Sequence, residues 1–239
     1  MNTAELFGDP DQWPDDDLVA VTGVLGPHLV LAALHEGVFP MPLGRDVPRA
    51  LRGGTGWWSP VRRGVLPIDR LRVARSLRKT CRRYTTTVDQ CFDEVVSCCG
   101  DPGRPGGWID GSIRATYGGL HRDGWAHSVE TWDDDGRLVG GLYGVCVGGL
   151  FSGESMFHDA EHGRDASKTA LMRLVLEMST VRPALVDVQW LTPHLASLGA
   201  VEISRQEYLG RLDELVTAST PSWRPRTMSG AQLLAALER

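Results

Sequence analysis

No run in the 239-residue chain is long and apolar enough to cross a membrane, and its first residues lack the charged-then-apolar pattern of a secretory signal. The five cysteines include the adjacent Cys98-Cys99 but no CxxC pair, which argues against a disulfide framework and against a zinc site. No internal repeat or low-complexity tract interrupts the chain. These absences predict a reduced, cytoplasmic protein that needs no structural metal. Basic residues are also missing at the start: seven acids and no Lys or Arg precede Arg45, and five of those acids fall in Asp9–Asp17. The net charge is 25 − 30 = −5, so nothing in the total points to nucleic acid. The distribution still leaves room for a local basic face.

That face is easy to find. From Arg62 to Arg83 there are nine bases and a single acid, Asp69. Arg72, Arg75, Lys79 and Arg82 recur at spacings of three and four, so a helix would align them, with Arg78 and Arg83 widening the stripe. A solvated helix face usually mixes signs, and this one does not. Contact with a phosphate backbone is the stronger reading, and an ordinary exposed face the weaker. Just upstream, Trp57-Trp58-Ser59-Pro60 places two indoles side by side. Such a pair can stack planar groups, but on its own it is more simply a core plug.

Gly140–Phe157 (GGLYGVCVGGLFSGESMF) has no Lys or Arg and reads as two buried antiparallel strands joined near Gly148-Gly149. Its many glycines suggest that something approaches the backbone closely. Glu154 is a carboxylate among Phe151, Met156 and Phe157, and it needs a partner or a task. Ala126–Trp132 alternates and completes a three-stranded meander with Arg137–Val147 and Leu150–Phe157. Asp89 and Asp165 are placed to cap helices, and Trp108 leads another helix from Ile109 to Arg122. Ala184–Leu191 reads as a strand on which Asp187 and Gln189 share a face, about 7 Å apart. The order of elements predicts an α+β fold.

That order resembles the acetyltransferase-like (GNAT) fold, a mixed sheet flanked by helices, and the motifs narrow it further. Trp57-Trp58-Ser59-Pro60, Arg75-Ser76-Leu77-Arg78-Lys79, Ala126-His127-Ser128-Val129-Glu130 and Gly140-Gly141-Leu142-Tyr143-Gly144 occur in sequence. Phe151, Gly153-Glu154-Ser155-Met156-Phe157, Ala166-Ser167-Lys168, Asp187-Val188-Gln189 and His194-Leu195-Ala196-Ser197-Leu198-Gly199-Ala200 follow. Together they resemble the leucyl/phenylalanyl-tRNA–protein transferase family from about Gly37 to Leu212. The resemblance implies a small N-terminal domain (residues 1–70) before a GNAT-like aminoacyl-transfer domain (71–239). It also implies transfer of Leu or Phe from aminoacyl-tRNA to proteins with N-terminal Arg or Lys, feeding proteolysis that depends on the N-terminal residue.

By the same resemblance Asp187 and Gln189 are catalytic, and Glu154 faces the basic acceptor. Leu142, Phe151, Met156, Leu171 and Leu174 line the aminoacyl pocket, and Trp57, Trp58 and Trp108 stack the terminal adenosine. Arg72, Arg75, Arg78, Lys79, Arg82 and Arg83 meet the tRNA. An apolar pocket of this kind separates Leu and Phe from polar side chains well, but from Met poorly. The ester is already activated, so no cofactor and no metal is expected, and nothing in the sequence asks for more than a monomer. The chain departs from the family pattern at Leu34, where tyrosine is usual, at Met41 for tryptophan and at His158 for serine. Leu174 replaces a second pocket aromatic. Val188 replaces the cysteine of a DCQ triplet, where its side chain is expected to point away from Asp187 and Gln189.

Two other classes fit less well. An acetyl-CoA-dependent enzyme needs a glycine-rich pyrophosphate turn, yet only Gly163 lies between Phe157 and Lys168. A serine hydrolase built on Ser155 lacks the second glycine of a nucleophile elbow. A noncatalytic RNA-binding module would keep the basic stripe but has no need of Glu154, Asp187 and Gln189 together.

Overall fold

The computed structural model describes residues 6–44, 48–101, 103 and 109–238. Two sheets form. The small one is antiparallel, in the order β1 (Leu18–Thr22), β3 (Thr55–Trp58), β2 (Phe39–Pro42). Helix α1 (Pro27–His35) bridges β1 and β2. It opens on Pro27 and is followed by Gly37 at φ +76°, a left-handed position where glycine carries no Cβ penalty.

The large sheet has eight strands in the order β10-β4-β9-β8-β7-β6-β5-β11. In chain order these are β4 (Arg62–Pro67), β5 (Thr85–Val88), β6 (Ala126–Trp132), β7 (Leu138–Val147) and β8 (Leu150–His158). β9 (Leu185–Gln189), β10 (Val201–Ser204) and β11 (Met228–Ser229) follow. β6, β7 and β8 are the meander that alternation predicts, and its turn sits at Gly148, φ +57°. β8 and β9 are parallel, and α5 (Ala166–Met178) crosses between them. The α+β class therefore holds.

Alternation along β7 sends its side chains to two cores. Tyr143, Val145 and Val147 pack under α1, α3 (Phe92–Cys99) and α4 (Gly111–Arg122). Leu142 and Cys146 face the other way, onto α5, α2 (Arg75–Cys81) and α8 (Gly230–Leu237). After the short α6 (Pro193–Ser197), a third cluster joins α7 (Arg205–Thr217) to Val65, Leu150 and Leu185.

Several local expectations change. Asp89 caps no helix: at φ +55° it accepts from Ser128 N and meets His127 Nδ1, both at 2.8 Å, while α3 begins at Phe92. Asp165 occupies the N-cap position of α5 as expected, but at φ +60° its side chain holds Lys168 Nζ at 2.7 Å rather than a backbone amide. α4 starts at Gly111, capped by Asp110. α2 has seven residues, so Arg72 precedes it and Arg82 and Arg83 follow its last turn. The glycines of β7 serve packing. A Cβ on Gly140 would meet Ala166 at 2.5 Å, and one on Gly144 would meet Ser152 O at 2.3 Å and the Phe151 ring at 2.5 Å.

Candidate active site

A cavity of about 150 Å³ opens at the seam of β7, β8, β9 and α5. Leu142, Phe151, Met156, Leu171 and Leu174 all line it, so the five residues expected to form an apolar pocket do meet around one space. Of the glycines in Gly140–Phe157, Gly153 alone borders it. A second cavity of about 250 Å³, lined by Phe39, Pro40, Met41, Trp190 and Thr192, adjoins the first. The two share Glu154, Val188, Gln189 and Leu195.

Gln189 reaches both cavities because the strand breaks at that residue. Its φ is +58°, and Trp190 N closes a three-residue turn onto Val188 O at 2.7 Å. Such a turn is strained for a non-glycine residue and persists only where its surroundings hold it. Gly64 is part of that support: a Cβ there would sit 2.7 Å from Leu191 N and 2.8 Å from the Trp190 carbonyl carbon. The Gln189 amide nitrogen donates to Ser152 Oγ at 3.1 Å, which leaves Oε1 available to accept.

The turn also undoes the period-two expectation. Asp187 lines neither cavity and is fully buried, facing β4 and α7. Arg63 donates to it twice, Nε to Oδ1 at 2.9 Å and Nη2 to Oδ2 at 2.6 Å. Tyr208 Oη adds a bond to Oδ2 at 2.9 Å, and Gln189 N one to Oδ1 at 3.0 Å. Val188, expected to point away from Asp187 and Gln189, lines both cavities alongside Gln189, whereas Asp187 lines neither.

Glu154 is half-buried, but its Oε1 is wholly enclosed and has no partner at hydrogen-bond geometry; the hydroxyls of Tyr117 and Tyr143 are likewise buried and unpartnered. Burial pushes the Glu154 carboxyl up to about 8, with the Asp187 charge adding to the rise and the nearby Tyr117 and Arg63 opposing it. An enclosed carboxyl that only the neighbouring Tyr117 hydroxyl supports is a polar spot between two cavities, and a cation would pair with it.

The aromatic residues divide. Trp57 is fully buried, its Nε1 donating to Thr22 Oγ1 at 2.9 Å and its ring edge-on to Phe7, so it plugs the small sheet and offers no open face. Trp58 is half-buried and edge-on to Trp190 at 6.0 Å. Trp108 lies outside the described residues. The basic side chains Arg72, Arg75, Lys79, Arg82 and Arg83 are exposed, and the half-buried Arg78 pairs with Glu238. Among the described residues none of the other five takes part in a salt bridge. Arg63, Tyr208 and Trp190 escaped the sequence reading. Only Trp190, next to the Asp187-Val188-Gln189 triplet, carried a local signal.

The family model described as leucyl/phenylalanyl-tRNA protein transferase matches residues 65–213. The chain belongs to that family. A leucyl/phenylalanyl-tRNA–protein transferase of Ruegeria is 49% identical over 192 residues, 80% of this chain and 86% of that protein. Those of Zymomonas mobilis and Anaeromyxobacter are both 44% identical, over 83% and 90% of this chain and 72% and 88% of theirs. A solved structure of L-PGS from Bacillus licheniformis aligns with a TM-score of 0.38 at 11% identity. It covers 74% of this chain and 64% of its own, a likeness too low to carry an argument. Membership of the transferase family makes the chain an aminoacyltransferase. No described helix is long and apolar enough to cross a membrane.

Proposed function

We propose that the chain transfers Leu or Phe from aminoacyl-tRNA to the α-amine of proteins whose first residue is Arg or Lys, marking them for proteolysis in the cytoplasm. The observation that carries this reading is the joined pair of cavities, the first with apolar walls, and the Glu154 carboxyl and Gln189 that stand together where the two meet. The donor side chain fits among Leu142, Phe151, Met156, Leu171 and Leu174. The acceptor's cationic side chain fits against Glu154.

In the reaction the acceptor nitrogen attacks the ester carbonyl carbon. The new C–N bond forms as the C–O bond to the tRNA terminal hydroxyl breaks, and the amine's proton passes to that leaving oxygen. An α-amine has a pKa of about 8, so a usable neutral fraction exists at pH 7. Gln189 Oε1 accepts an amine N–H and orients the nitrogen, and Asp187 acts through the strand. Much of the rate then comes from positioning. Trp190 borders the acceptor-side cavity with Trp58 edge-on to it, and this pair suits the terminal adenosine. The bases from Arg72 to Arg83 suit phosphates of the acceptor arm.

The GNAT-like reading is supported by the antiparallel meander that leads, through α5, into the parallel β8–β9 pair. We divide the chain at residue 70, with the small sheet before the cut and β4 reaching from it into the large sheet.

The deciding test is incubation with labelled Phe-tRNA or Leu-tRNA and a peptide beginning with Arg. Label in the peptide is expected, and far less in one beginning with Glu. No transfer to any peptide, with acetylation from acetyl-CoA instead, would overturn the reading.

A further inference from the structure

Behind the site lies a group of charged and aromatic side chains that touches no cavity space apart from Phe39. The Arg63 guanidinium is 1% exposed and sits between two rings, its Cζ 4.7 Å from the Phe39 centroid and 4.3 Å from that of Tyr208. Besides gripping both oxygens of Asp187 it donates Nη1 to Gly37 O at 3.0 Å. Burial alone would lower its pKa, but Asp187 and Tyr208 outweigh that and hold it above the ordinary value. A planar fork matched to a carboxylate and stacked on rings is a geometry lysine cannot reproduce. Every strong acceptor direction on Asp187 is therefore taken, by Arg63 twice, by Tyr208 and by the Gln189 amide. No proton from a substrate amine can reach it.

We infer that Arg63 and Tyr208 are positioning residues of the transfer reaction, holding the Asp187 carboxylate in the place from which its Oδ1 anchors the strained turn that aims Gln189. This deepens the proposed function and rests on it. The chain of cause runs in one direction. Arg63 and Tyr208 fix the carboxylate, and the carboxylate fixes the Gln189 N–H. That N–H stabilises a left-handed backbone that glutamine would otherwise leave. Through Ser152 and this backbone the Oε1 acceptor is set between the two cavities. Arg63 reaches Gly37 O and the Phe39 ring at the same time, so it also registers the acceptor-side cavity wall against the catalytic strand.

The charged and titratable groups facing Asp187 are Arg63 from β4, Tyr208 from α7 and Glu154 from β8, with Arg205 bearing on Arg63 from the start of α7. Removing Arg63 takes away two of the four hydrogen bonds that fix the carboxylate, and the turn it anchors relaxes.

The test measures single-turnover transfer of Phe to an Arg-initiated peptide for wild type, Arg63→Lys, Arg63→Met and Tyr208→Phe, together with tRNA affinity and the peptide concentration giving half-maximal rate. A loss on the order of 100-fold in the transfer rate is expected for Arg63→Met, the scale set by misplacing a positioned group. Tyr208→Phe should lose less, and Kd for Phe-tRNA should stay near wild type. Arg63→Lys, which keeps the charge and loses the planar fork, should recover only part of the rate, and the peptide concentration giving half-maximal rate should move little in all three variants. A wild-type rate in folded Arg63→Met overturns the inference while leaving the transferase reading intact. Should Arg63→Met fail to fold, an unchanged rate in Tyr208→Phe and Arg63→Lys overturns it equally. Absence of transfer by wild type overturns the functional reading itself.

Discussion

Glu154 carries a cost that the fold accepts for the sake of a ligand. Its folded pKa of about 8 stands above the ordinary 4.5, so the folded protein binds the proton more tightly than the unfolded chain. The stability this confers is full below about pH 4.5 and is lost as pH rises towards 8. Glu154→Gln should therefore flatten the fall of Tm between pH 5 and 8, which a thermal scan in matched buffers reads directly. An acceptor cation ionises the carboxyl and releases a proton, so wild-type KM for an Arg-initiated peptide should drop as pH approaches 8. In Glu154→Gln, kcat/KM for that peptide should fall by about 2–5 kcal/mol, the cost of truncating one side of a desolvated charge pair. An equal Tm profile and an unchanged KM would place the acceptor elsewhere. At Gln189, substitution by Ala should lower turnover while leaving tRNA affinity intact, because the side chain borders the cavities and the basic stripe lies elsewhere.

Single elements show what the residues alone could and could not reveal. The meander was legible because β6 to β8 have one side chain per pleat and a Gly-Gly turn, and α5 because Leu171, Leu174 and Val175 recur at helical spacing. β4 was not legible. Arg62-Arg63-Gly64 opens it, and two arginines with a glycine read as part of a basic surface, although Arg63 turns inward to a partner 124 positions away. The strands of the small sheet carry Pro40, Pro42, Gly56 and adjacent tryptophans, a composition that hides short strands. Asp89 and Asp165 looked like caps because Asp usually is one before a helix. Asp89 instead pairs with His127, and Asp165 keeps the N-cap position while its side chain turns to Lys168. That Leu142, Phe151, Met156, Leu171 and Leu174 surround one space was legible through resemblance, residue by residue. The turn at Gln189 was not, since no propensity predicts a strained backbone. Helix α2 offers its own test. Neutralising Arg75 and Lys79 as Arg75→Gln and Lys79→Gln should weaken tRNA binding. It should also lower the slope of log K against log salt by about 0.7–0.9 for each phosphate no longer neutralised. An unchanged slope would remove this helix from the tRNA path.

Across the whole molecule, the C-terminal segment after α7 belongs to the same device as the site. It returns over the sheet, adds β11 beside β5 and packs α8 against α5. Arg173 is fully buried and gives Nε to Glu177 Oε1 at 2.6 Å, Nη1 to Thr86 Oγ1 at 3.0 Å and Nη2 to Arg226 O at 3.0 Å. Arg226 closes the group on both oxygens of Glu177, at 3.0 and 2.9 Å. Between this anchor and α7, Trp223 stacks on His127 with centroids 4.2 Å apart and leans on Phe151 at 5.7 Å. Phe151 is a wall of the apolar cavity, so Trp223 braces that wall from behind. Two substitutions separate the anchor from the brace. Glu177→Ala leaves Arg173 buried without its anion and should cost about 3–5 kcal/mol, or roughly 2–4 °C of Tm per kcal/mol in a chain of this size. In the fraction that stays folded, the ratio of Phe to Met transfer should hold, because the cavity keeps its lining. Trp223→Ala empties the space behind Phe151, lets that ring withdraw and enlarges the cavity. It should therefore narrow the preference for Phe over smaller donors along with lowering Tm. Competition between Phe-tRNA and Met-tRNA measures this, and a ratio equal to wild type in folded Trp223→Ala would show that Phe151 needs no brace.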